Sequence, residues 1–457
     1  MGDILIAVVG RTDPIRSEHD GPILHIVRHQ KPEKAFLILT EEIGHDEAEY
    51  HYNEEAIHLL DKNCEVEIIQ TRIKDAHSYD ALSLPLLAIC NRIREENPDK
   101  KILVNITSGT PQMETVMCMI AISDPEHYVP VQISTPLKRS NNREQFDPKT
   151  QSIKDWFETD MDNLEETPPR YNFPELMNFR RPIIQFQILS LIQNYDYAGA
   201  LQLYEANKSN FSEKAGLLLK HANDRLNLRY KEAEALAVTL NMKQELYPIS
   251  QSEIKRLMEF YNSMCIKQYR GELNDFIMRL EIMAVYLGIY TLENCMRVSQ
   301  EDITTQQILK NSKIMYLNKN KCVKRIPGID KYLDEQFSDK KQGGFEWGRP
   351  LNALSIVHII RYISKQETYK KYELATEEML KWVALSGQVR NPAAHTIISI
   401  TDDTIRKSYE NRDSLALCKA MRTVLKQIFG KEGKNEAFDI YETINRKIKM
   451  ALENNLG

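Results

Sequence analysis

The sequence lacks any run of about 18 apolar residues, the length that a helix needs to cross a lipid bilayer. We therefore expect no membrane span. The apolar segment DILIAVVG at 3–10 has no basic residues before it and no small-residue cleavage site after it. We interpret it as a buried first strand rather than as a signal peptide.

Cysteine is sparse and dispersed. The sequence has seven cysteines, with no CxxC motif and no cluster of cysteine and histidine at the spacing of metal ligands. An odd number of scattered thiols is typical of a reducing compartment. We predict a cytoplasmic protein without a metal site.

A surplus of positive charge is also missing, because the formal net charge is -5 at pH 7. This balance argues against a broad, charge-driven coat of nucleic acid and against stable DNA binding, but it allows a small local RNA site. Neither a GxGxxG motif after the first strand nor a GxxxxGK[ST] motif is present. Ordinary dinucleotide or triphosphate binding is therefore not expected.

The N-terminal part of the sequence alternates between short apolar runs and longer helical stretches, such as 46–62 and 79–96. Such alternation predicts βαβ units around a mostly parallel sheet that is covered on both faces. The strand candidates are DILIAVVG at 3–10, KAFLILT at 34–40, CEVEIIQTRI at 64–73, KILVNITS at 101–108 and YVPVQIST at 128–135.

The alternation ends after the fifth strand candidate, and beyond about residue 173 apolar residues recur mainly at helical spacing. A chain of 457 residues is too long for one ordinary domain. We predict a Rossmann-like α/β domain at 1–170, an all-α linker subdomain at 171–335 and a helical domain at 336–457. Within the helical region we interpret the basic segment 310–328 as a loop.

Two polar turns follow neighbouring strand candidates, GRTDP after the first and NITSGTPQM after the fourth. In an open α/β sheet, ligands bind at the carboxyl ends of the strands. A strand–SGT–helix turn offers hydroxyl groups and free backbone N–H groups at a positive helix end, which suits a phosphate or a ribose. The alternative is that Thr110 merely caps its helix and the turn binds nothing. The candidate ligand residues are Gly10, Arg11, Thr12, Asp13, Asn105, Thr107, Ser108, Gly109, Thr110, Gln112 and Met113.

The stretch LSGQVRNPAAHTI at 385–397 is the second candidate site. Asn391 is a good N-cap and Pro392 a good first helical residue, which places His395 one turn into a helix with Arg390 just outside it. Both side chains can then reach one anionic group. The spacing alone carries no weight, because Arg72 and His77 show it too. The alternative is therefore a surface arginine beside a helix-start histidine, without chemistry.

The chemistry of this pair suits RNA. Cleavage by the neighbouring 2′-hydroxyl needs no metal, since histidine can transfer protons and the guanidinium fork can grip phosphate oxygens. One pair is little for an active site, but two copies across a two-fold axis supply two histidines and two arginines.

Taken together, the two segments resemble those of the CARF–HEPN ribonucleases, the CRISPR-associated accessory nucleases of type III-A systems. The resemblance covers the whole length, from a Rossmann-like sensor with NITSGTPQM, through a helical linker, to a HEPN domain with RNPAAH. It implies that 1–170 is the CARF domain and that 336–457 is the HEPN domain.

The resemblance implies a homodimer whose paired CARF domains bind a cyclic oligoadenylate, with cyclic hexa-adenylate favoured over tetra-adenylate. The activated HEPN pair would cut single-stranded RNA without a metal cofactor, and some family members also degrade the activator in the CARF pocket. By motif position, Arg390 and His395 are the expected catalytic residues, with Asn391 in support. The basic segment would lead RNA to the site through Lys319, Lys321, Lys324 and Arg325.

Two other functions stay open at this point. The chain could be a non-catalytic, nucleotide-sensing regulator that binds a partner through its helical region, in which case His395→Ala changes nothing measurable. It could also be a nucleotide-dependent enzyme that acts in the α/β domain alone, which predicts activity in a protein ending near residue 170.

Overall fold

A computed structural model of the chain describes residues 3–16, 18–136, 146–163, 168–309, 312–337, 344–390 and 399–453. The chain divides into two compact units, Met1–Ile184 and Gln185–Gly457. The domain boundaries given above at 170/171 and 335/336 stay predictions. Among the described helices, none has both the length and the apolar composition that a bilayer crossing requires.

The first unit is built on a six-stranded sheet with the order β5-β4-β1-β6-β7-β8. The first five of these strands run parallel, and β8 joins the edge antiparallel to β7. The predicted mostly parallel α/β fold is confirmed. The strands are β1 Ile4–Val8, β2 Ile15–Arg16, β3 His19–Asp20, β4 Lys34–Leu39, β5 Glu65–Gln70, β6 Ile102–Asn105, β7 Tyr128–Ile133 and β8 Tyr171–Asn172. The helices are α1 Pro22–Gln30, α2 Glu41–Tyr50, α3 Tyr52–Leu60, α4 Tyr79–Glu96, α5 Pro111–Ser123 and α6 Ile153–Glu158, with a 3₁₀ turn at Met161–Asn163.

Strand β1 shows why the central strands of the sheet are apolar throughout. All of its residues are buried. Leu5 and Ala7 pack with α1 and α3, whereas Ile4, Ile6 and Val8 pack on the opposite face with α4 and α5. Because successive side chains point to opposite faces, a strand between two helical layers needs apolar residues at every position.

The second unit is mostly helical, as predicted. From residue 177 onward, the described helices are α7 Met177–Gln193, α8 Tyr197–Glu205, α9 Glu213–Leu226, α10 Tyr230–Thr239, α11 Lys243–Leu246, α12 Ser252–Tyr269, α13 Leu273–Met278, α14 Leu280–Tyr290, α15 Gln300–Ile303, α16 Lys319–Arg325, α17 Ile329–Gln336, α18 Ala353–Ser364, α19 Glu373–Leu385, α20 Asp402–Ser408, α21 Ser414–Phe429, α22 Asn435–Phe438 and α23 Ile440–Glu453. Shorter 3₁₀ turns lie at Lys208–Asn210, Glu367–Tyr372 and Gly430–Glu432, and π-helical turns at Thr291–Cys295 and Ser386–Arg390. The core of this region includes the fully buried Trp382.

The basic segment is not the loop that we expected. It contains strand β10 Ser312–Leu317, which pairs antiparallel with β9 Thr304–Leu309, followed by helix α16. Asn318 starts that helix, because its side-chain oxygen accepts a hydrogen bond of 3.0 Å from the backbone of Lys321. The expected RNA contacts of Lys319, Lys321, Lys324 and Arg325 would therefore come from a short helix.

Candidate functional site

The two predicted ligand turns meet at the carboxyl edge of the sheet, because β1 and β6 are parallel neighbours. They meet so closely that a Cβ atom on Gly10 would lie 2.4 Å from the backbone nitrogen of Gly109. Gly109 itself has a φ of +102°, which favours glycine. Glycine at both positions therefore lets the two turns form one continuous backbone surface.

Asp13 fastens the first turn to its surroundings. Its carboxylate accepts a hydrogen bond of 3.1 Å from the Gly10 backbone and one of 3.0 Å from the Ile23 backbone, at the start of α1. The Ser108 side chain also bonds to it. Burial raises the pKa of Asp13 to about 6, although these three hydrogen bonds favour the charged form. Asp13 thus holds the backbone of the GRTDP turn in one conformation from its buried side.

The second turn is held by its own side chains. The Asn105 amide donates to the Ser108 hydroxyl at 2.7 Å, and its oxygen accepts from the Thr107 backbone at 2.9 Å. The Thr107 hydroxyl in turn accepts from the backbone of Ile133 at 2.9 Å. Asn105, Thr107 and Ser108 therefore make internal contacts that fix the direction of the backbone N–H groups.

Thr110 is the N-cap of helix α5. Its hydroxyl oxygen accepts from the Met113 backbone at 3.3 Å, and the hydroxyl also donates to the carbonyl of Ala76. The cap does not use every polar group of the turn, because the side-chain oxygen of Gln112 is buried and meets no donor among the described residues. Such an atom is suited to accept a hydrogen bond from a ligand. Met113 is buried in the sheet core.

The rim of this site is basic and exposed. The Arg11 guanidinium lies 2.6 Å from the carboxylate of Glu42, but both side chains are at least 70% exposed. An ion pair this exposed contributes little, so Arg11 is available to a bound anion. Thr12 is half-buried beside it, and Arg72 and His77 are exposed on the loop that contains Ala76. We name this site, from Gly10 to Asp13 and Asn105 to Met113, the glycine-turn site.

The first candidate nuclease residue, Arg390, ends the π-helical turn Ser386–Arg390 that follows α19. The backbone of Arg390 is described, but Asn391 and His395 lie outside the described residues. The residues on either side are anchored, since Val389 and Ile400 are both buried. A π-helical turn within a longer helix is often found at functional sites.

A carboxylate on α19 ties the helix to the chain beyond this segment. Glu378 accepts from the indole nitrogen of Trp382 at 3.2 Å and from the hydroxyl of Tyr409, and its carboxylate lies 3.4 Å from Arg412. Sequence reasoning missed this group. The helical spacing of Glu378 and Trp382 was visible in the sequence, whereas the contacts with Tyr409 and Arg412 depend on tertiary packing.

A buried ionic cluster in the first unit was also missed. Asp20, His25 and Asp162 come close enough to hold a metal ion. However, Arg28 donates to Asp20 at 2.6 and 2.8 Å, and Arg170 donates to Asp162 at 2.6 Å. The backbone N–H of Arg170 also donates to the His25 ring at 2.9 Å. These two guanidinium groups already balance the carboxylates, so the donor set fits a structural ion cluster better than a cation site.

Three family models match the chain in consecutive order. They are the Cas_Csm6 CARF domain at residues 65–171, the Csm6 6H domain at 174–226 and the Cas_Csm6 HEPN domain at 246–449. The chain belongs to the Csm6 family. It is therefore one of the CARF–HEPN accessory ribonucleases of CRISPR systems, as the resemblance indicated.

Curated Csm6 relatives match over nearly the full length. The CRISPR system endoribonuclease Csm6 of Enterococcus italicus is 26% identical over 463 residues, covering 98% of this chain and 100% of the relative. That of Streptococcus thermophilus is 23% identical over 460 residues, with the same coverage. A solved structure of Enterococcus italicus Csm6, bound to cyclic hexa-2'-fluoro-hexa-dAMP, shares the fold with a TM-score of 0.68 at 24% identity, covering 99% of this chain and 100% of the other.

Proposed function

We propose that this Csm6-family chain is a single-strand endoribonuclease of type III CRISPR defence that a cyclic oligoadenylate activates. The observation that carries the proposal is the order of the three Csm6 domain matches, with the sequence RNPAAH inside the HEPN match. Relatives that match over nearly the full length are named endoribonucleases, which supports the same activity here.

The glycine-turn site is the proposed activator site. Its glycines let phosphates approach the backbone closely, and α5 begins directly after the turn, so its N-terminal N–H groups add positive potential. Arg11 can pair with a phosphate at the rim, and Gln112 can accept from an adenine or a ribose. The ligand of the Enterococcus italicus structure supports cyclic hexa-adenylate over tetra-adenylate. Slow degradation of the activator in this site is part of the proposal.

Cleavage is proposed to occur at a HEPN site that two copies of the chain complete. The 2′-hydroxyl of the RNA attacks the adjacent phosphorus, and the bond to the 5′-oxygen of the next nucleotide breaks. His395 transfers a proton, Arg390 stabilises the negative charge on the phosphorane, and Asn391 helps to orient them. No step in this sequence requires a metal ion. The boundaries of the three domains stand as proposed from the sequence.

The deciding experiment follows cleavage of labelled single-stranded RNA in EDTA with cyclic tri-, tetra-, penta- and hexa-adenylate. We expect the strongest activation with the hexa-adenylate. His395→Ala and Arg390→Ala should each abolish cleavage while activator binding is retained. His45→Ala removes an exposed histidine on α2 and should leave cleavage unchanged. Persistent cleavage in His395→Ala, or a requirement for divalent metal, would contradict the proposal.

A further inference from the structure

Helix α13 contacts the chain on both sides of segment 391–398. Before the segment, α13 packs against the π-helical turn that ends at Arg390. After the segment, the side-chain oxygen of Asn274, on α13, accepts a hydrogen bond of 2.8 Å from the backbone N–H of Ile400. One short helix therefore holds the chain at two points that are ten residues apart.

Helix α13 is itself firmly held. Phe276 and Ile277 are completely buried in the helical core. On its outer side, the carboxylate of Asp275 lies 2.7 Å from the ammonium group of Lys267, which also lies 2.9 Å from Glu272. A residue on this helix can therefore serve as a fixed reference for the chain that it binds.

The two anchor points differ in chemistry. Val389 and Ile400 contribute apolar side chains to the core. Such contacts hold the chain close to the core, but they do not fix the orientation of its peptide planes. The hydrogen bond of Asn274 adds a direction, because it orients the N–H group of Ile400. Directional control matters here, since a displacement of about 1 Å in a catalytic group lowers rates by about a hundredfold.

We infer that Asn274 is a positioning residue for RNA cleavage, which sets the exit of the segment that carries Arg390 and His395. The inference rests on the proposed function. Asn274 acts through the backbone of Ile400 in this assignment. An aspartate at position 274 offers an acceptor oxygen at the same distance from the main chain, whereas a leucine of similar volume offers none.

The test compares Asn274→Leu, Asn274→Ala and Asn274→Asp in the full-length protein, using labelled single-stranded RNA and saturating cyclic hexa-adenylate. We expect kcat to fall about tenfold in the Leu and Ala variants, as the loss of one hydrogen bond implies. KM for RNA and the Kd of the activator should stay unchanged. Asn274→Asp should recover kcat to within about twofold of the parent protein.

Asn352→Ala is the matched control, because it removes a comparable hydrogen bond, which the backbone N–H of Ser355 donates to the side-chain oxygen of an asparagine at the start of α18. It should lower the melting temperature without changing kcat. A parent-like kcat in both Asn274→Leu and Asn274→Ala overturns the inference, as does equal loss of kcat in Asn274→Asp. If one apolar variant does not fold, the other decides. Activity in His395→Ala would instead refute the proposed function, whatever position 274 shows.

Discussion

At the scale of single residues, Asp13 explains how a site in which two glycine turns meet keeps a fixed shape. Its carboxylate joins the backbone of Gly10, the first turn of α1 and the side chain of Ser108. Three separate parts of the chain thus converge on one buried group. Replacement of that group leaves two backbone N–H donors without their acceptor, and each such loss costs about 1–3 kcal/mol.

Asp13 also makes the stability of the protein depend on pH in a defined direction. Its pKa is about 6 in the folded protein against an ordinary value of 3.8, so between these values the folded state holds the proton more tightly. Its contribution to stability is therefore complete at low pH and declines as the pH rises. The free energy of unfolding of the parent protein should exceed that of Asp13→Ala by about 2 kcal/mol less at pH 7.5 than at pH 4.5.

Urea denaturation at a series of pH values measures this change. Asp99→Ala, at an exposed aspartate, provides the comparison. A difference for Asp13→Ala that does not change with pH would show that folding does not raise the pKa of the Asp13 carboxyl group.

At the scale of elements, the contact between the turns after β1 and β6 depends on the absence of two side chains. A Cβ atom at position 10 would lie 2.4 Å from the nitrogen and 2.8 Å from the Cα of Gly109. Gly10→Ala should therefore separate the turns, lower the free energy of unfolding by about 1–3 kcal/mol and weaken activator binding more than tenfold.

Equilibrium dialysis with cyclic hexa-adenylate and urea denaturation check both effects. Gly387→Ala is the matched control, because a Cβ atom at position 387 meets no atom of the described residues within 4 Å. It should bind the activator like the parent protein. Parent-like binding by Gly10→Ala would remove the glycine-turn site from consideration as the activator site.

Elements that alternate in polarity or are apolar throughout were predictable from the sequence. The five parallel strands were predicted from short apolar runs, which burial on both faces explains for β1, β4 and β6. Helix α4 was predicted with its observed bounds. The predicted helix at 46–62 is instead divided at His51, which has a φ of +51°. Glu47 explains the break, since its carboxylate accepts from the backbones of Asn53 and Glu54 at the start of α3. Local periodicity does not reveal such a cap.

The hairpin β9–β10 was missed for a related reason. Its first strand is largely exposed and contains two adjacent glutamines, so it shows no apolar run. The antiparallel partner supplies the hydrogen bonds that stabilise it. For the candidate sites, sequence placed the two glycine turns at one edge, whereas the role of Asp13 depends on contacts with α1 that only the fold reveals.

At the scale of the whole molecule, the buried ionic cluster joins parts of the first unit that are distant in sequence. The backbone N–H of Asp20 donates to Asp162 at 2.9 Å, across 142 positions of the chain. Asp20 and Asp162 are matched by two arginines, and Asp160 shares Arg28 with Asp20, since its carboxylate lies 3.7 Å from that guanidinium. Burial and the carboxyl group of Asp20 raise the pKa of Asp160 to about 8. The cluster is thus close to neutral at physiological pH, which makes its burial tolerable.

The proposed two-copy active site leads to a prediction about mixed dimers. A dimer of one parent chain and one His395→Ala chain, isolated with two different affinity tags, lacks one of the two imidazoles. Its cleavage rate should fall far below half that of the parent dimer, because the residues of both copies act on one phosphate. Sedimentation confirms the assembly, and the RNA assay gives the rate.

A mixed dimer of parent and His45→Ala chains should cleave RNA at the full rate. A rate of half the parent value for the His395→Ala mixture would indicate two independent sites. Sedimentation as a single copy in saturating activator would exclude a shared site altogether.

The close approach of Gly10 and Gly109 also limits how this protein can be adapted to other signals. A side chain at either position would strain the contact between the two turns, so substitutions there are poorly suited to changing which ligand binds. A change in the preferred messenger is better sought at Arg11, Thr12 and Gln112. The side chains of these residues face the site without holding the two turns together. A library restricted to those three positions should retain folding while it explores ligand choice.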